Sequence, residues 1–318
     1  MTEVAKSMAL SVAVIGGGRW ARALAGQLAS FQERAPERIA QVLHHRDGSP
    51  LEALGGIDLL VLAVPATAVR PLMRQAAPFL NGSQLLVHAV GSLAPVTADG
   101  SRSLISEVVR AETPLRRVGA LAGPALALDL EERRPAALVC GSRYDEVGAA
   151  ARQVLTGPSL LVYTTRDQIG VEVARAMVAV VALAGGVASA LDLGAAARAV
   201  LISRGAAELA RLGVALGASE RTFFGLAGVG EMVVATDGRG SADFELGRLI
   251  GQGVPLEQAQ QQIGRTCDGP SMVNEALRLA SLHRLRLPLT AAVHHLLTGE
   301  RDAESTLSQL FSTENPSE

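Results

Sequence analysis

The feature that most constrains this chain is a glycine-rich turn between an apolar strand and a helix-forming segment, over residues 12–25 (VAVIGGGRWARALA). Gly16 permits a tight turn, Gly18 lets a ligand approach the backbone, and Ala21 is small enough for the helix to pack on the strand. The first turn of that helix would present N–H donors and a partial positive charge to a pyrophosphate. The pattern therefore predicts a dinucleotide site, and a purely structural glycine turn is the alternative.

Strand and helix signals alternate over the first half of the chain, whereas the second half carries helix signals almost alone. This alternation predicts a parallel, doubly wound sheet of the Rossmann type, followed by an all-α region. At 318 residues two domains are expected, an α/β dinucleotide-binding domain over 1–165 and a helical substrate or dimerisation domain over 166–318. The predicted strands are 11–15, 40–44, 57–64, 85–90, 136–140 and 160–163, and the predicted later helices are 170–187, 195–216, 245–250, 256–263 and 271–283.

Charge and composition exclude several classes of partner. A net charge of −2 gives no electrostatic reason to expect nucleic acid or an anionic membrane. The uncharged stretch 176–191 is shorter than the roughly 20 residues that cross a bilayer, so a buried helix is expected instead. Cys140 and Cys267 predict no disulfide framework, and with no signal-peptide layout at the N-terminus they favour a reducing cytoplasm. No metal is expected, because five of the six histidines show no ligand spacing with acids or cysteines: His44, His45, His283, His294 and His295.

The end of the second predicted strand bears on the choice of cofactor. In this fold an acidic residue there accepts hydrogen bonds from a ribose 2′-OH, while an arginine accommodates a 2′-phosphate. Arg46 therefore favours NADP(H), and Asp47 keeps NAD(H) open. A solvated loop with no cofactor contact is the third interpretation of this segment.

Five segments, in order along the chain, carry a resemblance to one enzyme family. Residues 16–25 (GGGRWARALA) resemble G-x-G-S-W-G-T-A-L-A, and 63–65 (AVP) match A-V-P. Residues 123–124 (GP) match the turn of S-G-P, 202–205 (ISRG) resemble I-T-R-G, and 222–230 (TFFGLAGVG) are similar to T-F-x-G-L-A-G-L-G. The chain thereby resembles the bacterial NAD(P)-dependent glycerol-3-phosphate dehydrogenases, which implies a Rossmann domain, a helical substrate domain and a homodimer.

The resemblance implies hydride transfer between a nicotinamide and dihydroxyacetone phosphate or sn-glycerol 3-phosphate. Such a site needs a proton donor for the developing alkoxide and cations or N–H donors for the phosphate. The family supplies two lysines, which here fall on Val90 and Val178. The implied cofactor contacts are Gly16, Gly18, Arg19, Trp20, Pro65, Ala127 and Asp268, and the implied substrate contacts are Gly123, Ala125, Ser241 and Asp243.

Other positions also depart from the family pattern. The serine of S-G-P is Ala122, and the aspartate of G-D-L is Glu231, one methylene longer. The phosphate-binding S-R-N falls on Ser241-Ala242-Asp243, with a local one-residue shift as the alternative. The replacement of arginine by Ala242 and of asparagine by Asp243 removes donors and adds a negative charge where a phosphate is expected.

No second lysine can substitute, because 28 of the 29 basic residues are arginine and the one lysine is Lys6. Arginine is a poor acid or base, since its pKa stays above about 12 in proteins. Arg175 and Arg239 could bind an anion or be ordinary surface residues. His88, two residues before Val90, and Glu231 are the candidate catalytic groups; for His88 a packed core position is the alternative.

Two functions remain open from the sequence. One is an NAD(P)-dependent oxidoreductase, weakly active or moved to another small carbonyl or polyol substrate. Glu231, Asp243 and Asp268 could form an acidic site for a cationic or neutral polyol. The other is a catalytically inactive descendant that binds a dinucleotide, or a protein partner, and acts as a sensor or scaffold.

Overall fold

A computed structural model describes residues 8–46, 49–95 and 104–306. The chain divides into two compact units, Met1–Glu172 and Val173–Glu318, and the division falls inside the helix Gln168–Ala190. The first unit is a seven-stranded sheet with helices on both faces, and the described part of the second unit is helical. The predicted fold class, a Rossmann-like sheet domain followed by a helical domain, is confirmed.

The sheet of the first unit has the strand order β2-β1-β3-β4-β5-β6-β7. In register, Ile15 lies opposite both His45 and Leu62, and Leu62 lies opposite His88. The carboxyl ends of the first four strands therefore meet at one edge, and the chain order reverses beside β1, where open sheets of this type bind ligands. The strands are β1 (Leu10–Ile15), β2 (Ile39–His45), β3 (Leu59–Leu62), β4 (Leu85–His88), β5 (Val118–Ala122), β6 (Ala136–Gly141) and β7 (Leu160–Thr165).

One pair of strands contradicts the prediction of an all-parallel sheet. β5 and β6 are antiparallel, with Leu121 opposite Cys140, while the other pairs are parallel. Between them the chain forms only the short helix Ala127–Glu131. Five helical residues rise about 7.5 Å, whereas a six-residue strand spans about 20 Å, so this helix cannot carry the chain back to the opposite edge. β6 therefore starts at the edge where β5 ends.

Both faces of the sheet are covered, which explains the continuous apolar runs of its strands. Along β1, Val12 and Val14 belong to one core cluster, and Ala13 and Ile15 belong to the other. The helices of this unit are α1 (Arg19–Arg34), α2 (Ala66–Ala76), α3 (Ile105–Glu112), α4 (Ala127–Glu131) and α5 (Asp145–Leu155), with 3-10 turns at Leu51–Gly56 and Ala77–Phe79. α1, α4 and α5 cover the first cluster, and α2 and α3 cover the second.

The second unit starts within a long apolar helix and continues as helices joined by short turns. Its elements are α6 (Gln168–Ala190), α7 (Gly194–Ala215), α8 (Glu220–Phe224), a π-helical turn (Leu226–Gly230), α9 (Glu231–Ala235), α10 (Ala242–Gly251), α11 (Leu256–Ile263), α12 (Gly269–His283) and α13 (Pro288–Leu297). The five helices predicted for this half lie within α6, α7, α10, α11 and α12, give or take a terminal residue.

α6 is long and apolar enough to cross a membrane, but 83% of its most apolar 18-residue stretch is buried inside the protein. Contacts of α6 with α10 are made through glycines. A Cβ added to Gly186 would lie 2.0 Å from the carbonyl oxygen of Phe244, and one added to Gly247 would lie 2.0 Å from that of Leu183. Real Cβ atoms do not approach an oxygen so closely, so backbone packs directly on backbone here and α6 is a core helix.

Candidate functional site

The glycine turn after β1 accepts only glycine at position 16. Its φ is +143°, and an added Cβ would lie 2.1 Å from the carbonyl oxygen of Ala63. The N–H of Gly16 donates to the carbonyl oxygen of His45 at 3.0 Å, which fixes the turn against the end of β2. Any side chain at this position would displace the end of β3.

The two glycines that follow are open rather than packed. Nothing lies within 4 Å of a Cβ built on Gly17 or Gly18. Gly18 is the N-cap of α1, and no side chain caps that helix, so the first-turn N–H groups receive no side-chain acceptor. An exposed, uncapped helix N-terminus behind two open glycines leaves space and N–H donors for a pyrophosphate. The residues present therefore fit a dinucleotide.

Several predicted cofactor residues lie around this turn or at the same edge of the sheet. Arg19 opens α1 and forms a bidentate ion pair with Glu131 of α4, with nitrogen–oxygen distances of 3.1 and 2.7 Å. Trp20 packs on the core beneath the turn, and Ala127 is the first residue of α4. Arg46 is exposed directly after β2, while Asp47 lies outside the described residues. Pro65, at the N-cap of α2, follows β3.

His88 lies beside a buried carboxylate rather than on an open face. Its side chain is 3% exposed, and its Nε2 lies 3.3 Å from Oε2 of Glu172, whose side chain is 2% exposed. The same carboxylate accepts hydrogen bonds from the N–H of Ser106 in α3 and from Nε2 of Gln168, both at 3.1 Å. This environment favours the packed core alternative for His88, and the sequence analysis missed its partner Glu172.

Glu172 stays ionised despite its burial. Desolvation opposes the charge, but the neighbouring His88 and the hydrogen bonds from Ser106 hold the pKa of Glu172 below its ordinary value. Loss of the His88 side chain would be costly, because the buried Glu172 carboxylate would keep one partner fewer. The pair therefore anchors α6 to β4 and α3 within the first unit.

The two positions where the resemblance implies lysine are apolar and buried. Val90 is 4% exposed and belongs to the core cluster covered by α2 and α3. Val178 is 3% exposed and lies on α6, followed by the buried Ala179. Neither position offers a proton or a charge.

In the second unit, Arg175 of α6 forms an ion pair with Glu231, the first residue of α9. Glu231 is buried and follows the π-helical turn directly. A Cβ on Gly228 in that turn would lie 1.9 Å from the carbonyl oxygen of Phe223, so the tight backbone there requires glycine. Single π-helical turns are frequent at functional sites, and this one positions the carboxylate that the sequence analysis had singled out.

Asp243 lies at the start of α10 and faces the start of α12. One of its carboxylate oxygens, Oδ1, accepts the N–H of Gly269 at 2.8 Å, and Ser241 caps α10 by accepting the N–H of Phe244 at 3.1 Å. Burial raises the pKa of Asp243 to about 7, with a smaller contribution from the charge of Asp268, against the opposing effects of the Gly269 hydrogen bond and of Arg175. Arg175 therefore interacts with both Glu231 and Asp243, and Asp243 in turn is influenced by the charge of Asp268.

The arginines near this acidic cluster already have partners. Arg175 is paired with Glu231, and Arg239 donates to Asp237 at 2.7 Å. Arg265 donates to the carbonyl oxygen of Gly240 at 3.2 Å. A phosphate at this loop would have to compete with a carboxylate or a carbonyl for each of these three cations.

The implied substrate contacts of the first unit follow β5. Gly123 has a φ of +132°, and an added Cβ would lie 2.8 Å from the carbonyl oxygen of Ala137, so glycine is required for the turn. Ala122 and Ala125, on either side of this turn, carry no polar side chain. They therefore offer no hydroxyl group to a ligand.

Comparison with known proteins places these observations in a family. Residues 39–148 and 167–308 match the N-terminal and C-terminal regions of NAD-dependent glycerol-3-phosphate dehydrogenase. The glycerol-3-phosphate dehydrogenases (NAD(P)+) of Rhodospirillum rubrum and Bacillus velezensis are 32% and 30% identical to the chain, covering 95% and 94% of it and 92% and 93% of their own lengths. A crystal structure of glycerol-3-phosphate dehydrogenase from Coxiella burnetii superposes with a TM-score of 0.84 at 27% identity, over 96% of this chain and 99% of that one. The chain therefore belongs to the NAD-dependent glycerol-3-phosphate dehydrogenase family of oxidoreductases.

Proposed function

We propose that this chain is an NADP(H)-preferring oxidoreductase whose second unit takes a small, unphosphorylated carbonyl compound or polyol in place of dihydroxyacetone phosphate. The observation that carries the proposal is the acidic cluster in which Arg175 interacts with Glu231 and Asp243, and Asp243 interacts with Asp268. A doubly charged phosphate would meet three carboxyl groups there, whereas the hydroxyl groups of a neutral polyol can donate to them. The retained family scaffold supports the class of reaction.

The first unit supplies the cofactor site. The backbone of Gly17 and Gly18 and the uncapped start of α1 would hold the pyrophosphate, and Arg46 would contact the 2′-phosphate. Arg19 would have to leave Glu131 in order to bind a phosphate oxygen. This costs little free energy, because both side chains of the ion pair are exposed. A bound nicotinamide supplies the hydride for reduction of a carbonyl carbon.

The chain itself must provide the proton for the oxygen that becomes negative during reduction. Asp243 suits this role, because its carboxyl group holds a proton at neutral pH to a degree that an exposed aspartate does not. Its second oxygen, Oδ2, is not used in the hydrogen bond to Gly269. Glu231 is paired with Arg175, and its carboxylate oxygens can also accept hydrogen bonds from substrate hydroxyl groups.

The burial of Val90 and Val178 favours a second candidate function, a catalytically inactive protein that binds a dinucleotide as a sensor or scaffold. The two functions share the cofactor site and differ in turnover. NADPH oxidation, measured with a panel of small aldehydes and ketones that includes dihydroxyacetone and glyceraldehyde, distinguishes the two functions.

The substitution Asp243→Asn tests the proposed function. If Asp243 donates the proton, turnover of an accepted carbonyl compound should fall by about 10²–10⁴-fold, while the affinity for NADPH stays unchanged. The matched control is Asp237→Asn, an exposed carboxylate earlier in the same loop. Full turnover in Asp243→Asn would remove Asp243 from catalysis, and no turnover with any compound in the panel would favour the inactive candidate.

The same variant carries a prediction for stability. The pKa of Asp243 is about 7 in the folded protein against an ordinary 3.8, so the folded state binds the proton more tightly and stability falls as pH rises from about 4 to about 7. The amide introduced by Asp243→Asn does not titrate in this range. The free energy of unfolding of the variant should therefore exceed that of the unsubstituted protein by up to about 4 kcal/mol at pH 8, and by little at pH 4. Urea unfolding at both pH values measures the difference, and a pH-independent difference would contradict the assignment.

We expect NADP(H) to bind about tenfold to a hundredfold more tightly than NAD(H), because a charge-assisted contact is worth roughly 1.5–3 kcal/mol. Arg46→Ala should abolish most of that preference and leave the affinity for NADH unchanged. Titration calorimetry with both cofactors gives the ratio, and Arg143→Ala, an exposed arginine elsewhere in the first unit, is the control. An unchanged ratio would assign Arg46 to solvent, and no binding of either cofactor below millimolar concentration would make the glycine turn purely structural.

We also propose a cytoplasmic homodimer, as the resemblance implies. Both cysteines are free, as expected of a protein in a reducing compartment. Sedimentation equilibrium would give the mass of the assembly.

A further inference from the structure

The end of α13 brings together two histidines and a glutamate that the sequence analysis had not connected. One ligand atom from each of His294, His295 and Glu300 lies within 4.8 Å of the other two. In the described residues, 8–46, 49–95 and 104–306, this is the group of three or more histidine, cysteine or acidic side chains close enough to share a metal ion. Spacing along the sequence led to the expectation of no metal, because it does not show this spatial grouping.

The backbone, rather than the side chains alone, places Glu300 beside the histidines. Gly299 has a φ of +71°, a left-handed conformation that ends the helix and turns the chain back. The N–H of Glu300 then donates to the carbonyl oxygen of His295 at 3.0 Å. The hydroxyl of Thr298 donates to the carbonyl oxygen of His294 at 3.1 Å, which holds the last turn of α13 together.

Two of the three ligand groups already touch. Nδ1 of His295 lies 2.5 Å from Oε2 of Glu300, and the ring of His294 meets that of His295 edge to face, with centroids 6.0 Å apart. In a tetrahedral zinc site the metal–ligand distances of roughly 2.0–2.2 Å place ligand atoms roughly 3.3 Å from one another. The distances between the three ligand atoms would have to adjust to this value. Side-chain rotations can make that adjustment, because all three side chains are partly or fully exposed.

We propose that His294, His295 and Glu300 form a binding site for a divalent transition-metal ion of the Zn²⁺ or Ni²⁺ type. Two imidazole nitrogens and one carboxylate oxygen are ligands that such ions prefer, while Mg²⁺ and Ca²⁺ prefer oxygen alone. Three protein ligands leave a coordination position for water or for a further ligand. The ion would tie the last turn of α13 to the turn that follows and stabilise the folded protein by mass action.

Equilibrium titration of the full-length chain tests the site, with protein made without a histidine tag and stripped with a chelator. At pH 7.5 we expect one equivalent of Zn²⁺ or Ni²⁺ to bind and to raise the thermal midpoint, with Mg²⁺ having no effect. Partners outside the first coordination shell are typically worth about 10–100-fold in metal affinity, so His295→Ala and Glu300→Gln should each weaken binding at least about tenfold.

The matched control is His283→Ala, an exposed histidine at the end of α12 in the same unit. Both histidine variants should keep the metal-free thermal midpoint and the NADPH affinity, which separates loss of the site from misfolding and from the proposed cofactor function. No binding of either ion below about millimolar concentration, or equal weakening in His283→Ala and His295→Ala, would overturn the proposal.

Discussion

Purified protein is expected to reduce dihydroxyacetone phosphate at least about 10⁴-fold more slowly than ordinary enzymes turn over. General acid–base assistance is typically worth roughly 10²–10⁴-fold, and preorganised charge at a developing oxyanion about 10²–10³-fold more. Val90 and Val178 remove the implied lysines, while Ala242 and Asp243 remove the implied phosphate donors. The phosphate would also lose water without gaining its expected partners, which raises the free energy of the bound state.

The assay is NADPH oxidation followed by absorbance, in parallel with calorimetric binding of NADPH as proof that the protein is folded. Turnover on the ordinary scale of about 1–10³ per second would contradict the prediction and would mean that another residue performs the work of the lysines. Val178→Lys alone should not restore activity, because Val90 and the phosphate-binding positions stay deficient. Restoration by that single change would show that the loop 241–243 binds phosphate after all.

The second large effect is expected for Gly16→Ala. A Cβ at this position meets the carbonyl oxygen of Ala63 at 2.1 Å, and the φ of +143° is unfavourable for any other residue. Strain and overpacking each cost about 1–3 kcal/mol, so the free energy of unfolding should fall by about 2–6 kcal/mol. The thermal midpoint should fall by roughly 5–20 °C, and dinucleotide binding should be lost with the geometry of the turn.

Gly17→Ala provides the control, since nothing lies within 4 Å of its added Cβ. Its thermal midpoint should stay close to that of the unsubstituted protein, and any loss of affinity for NADPH would then reflect ligand contact alone. Equal destabilisation of the two variants would contradict the argument that the end of β3 restricts position 16. Calorimetry and thermal unfolding monitored by circular dichroism measure both effects.

The strands and long helices could be predicted because burial on both faces leaves a continuous apolar signature. β5 (Val118–Ala122) was missed, because it carries glycine and two alanines and lacks the bulky apolar run of the other strands. α5 was missed for a similar reason, since half of its buried residues are small: Gly148, Ala150 and Ala151. The reversal between β5 and β6 depends on the length of α4, which propensity does not determine.

For the candidate site, features that are local in the sequence could be predicted, whereas contacts between distant segments could not. The glycine turn, Arg46 and the two valines are local features that the sequence contains directly. The partners that decide what each residue does come from far along the chain: Glu131 for Arg19, Glu172 for His88 and Glu231 for Arg175. A single sequence gives no register between such segments, so the environments of His88 and Asp243 emerged only from the fold.

The glycine contacts between α6 and α10 bear on how this protein changed during evolution. Because Gly186 and Gly247 bring backbone against backbone, the two helices cannot be moved apart or tilted by substituting core residues. Val178 and Asp243 are carried on this fixed frame, on α6 and α10 respectively. While these helix contacts are kept, the chemistry of the residues on α6 and α10 can change only through substitution of individual side chains. Relatives of this protein should then differ at residues 178, 242 and 243 without insertions or deletions within α6 and α10.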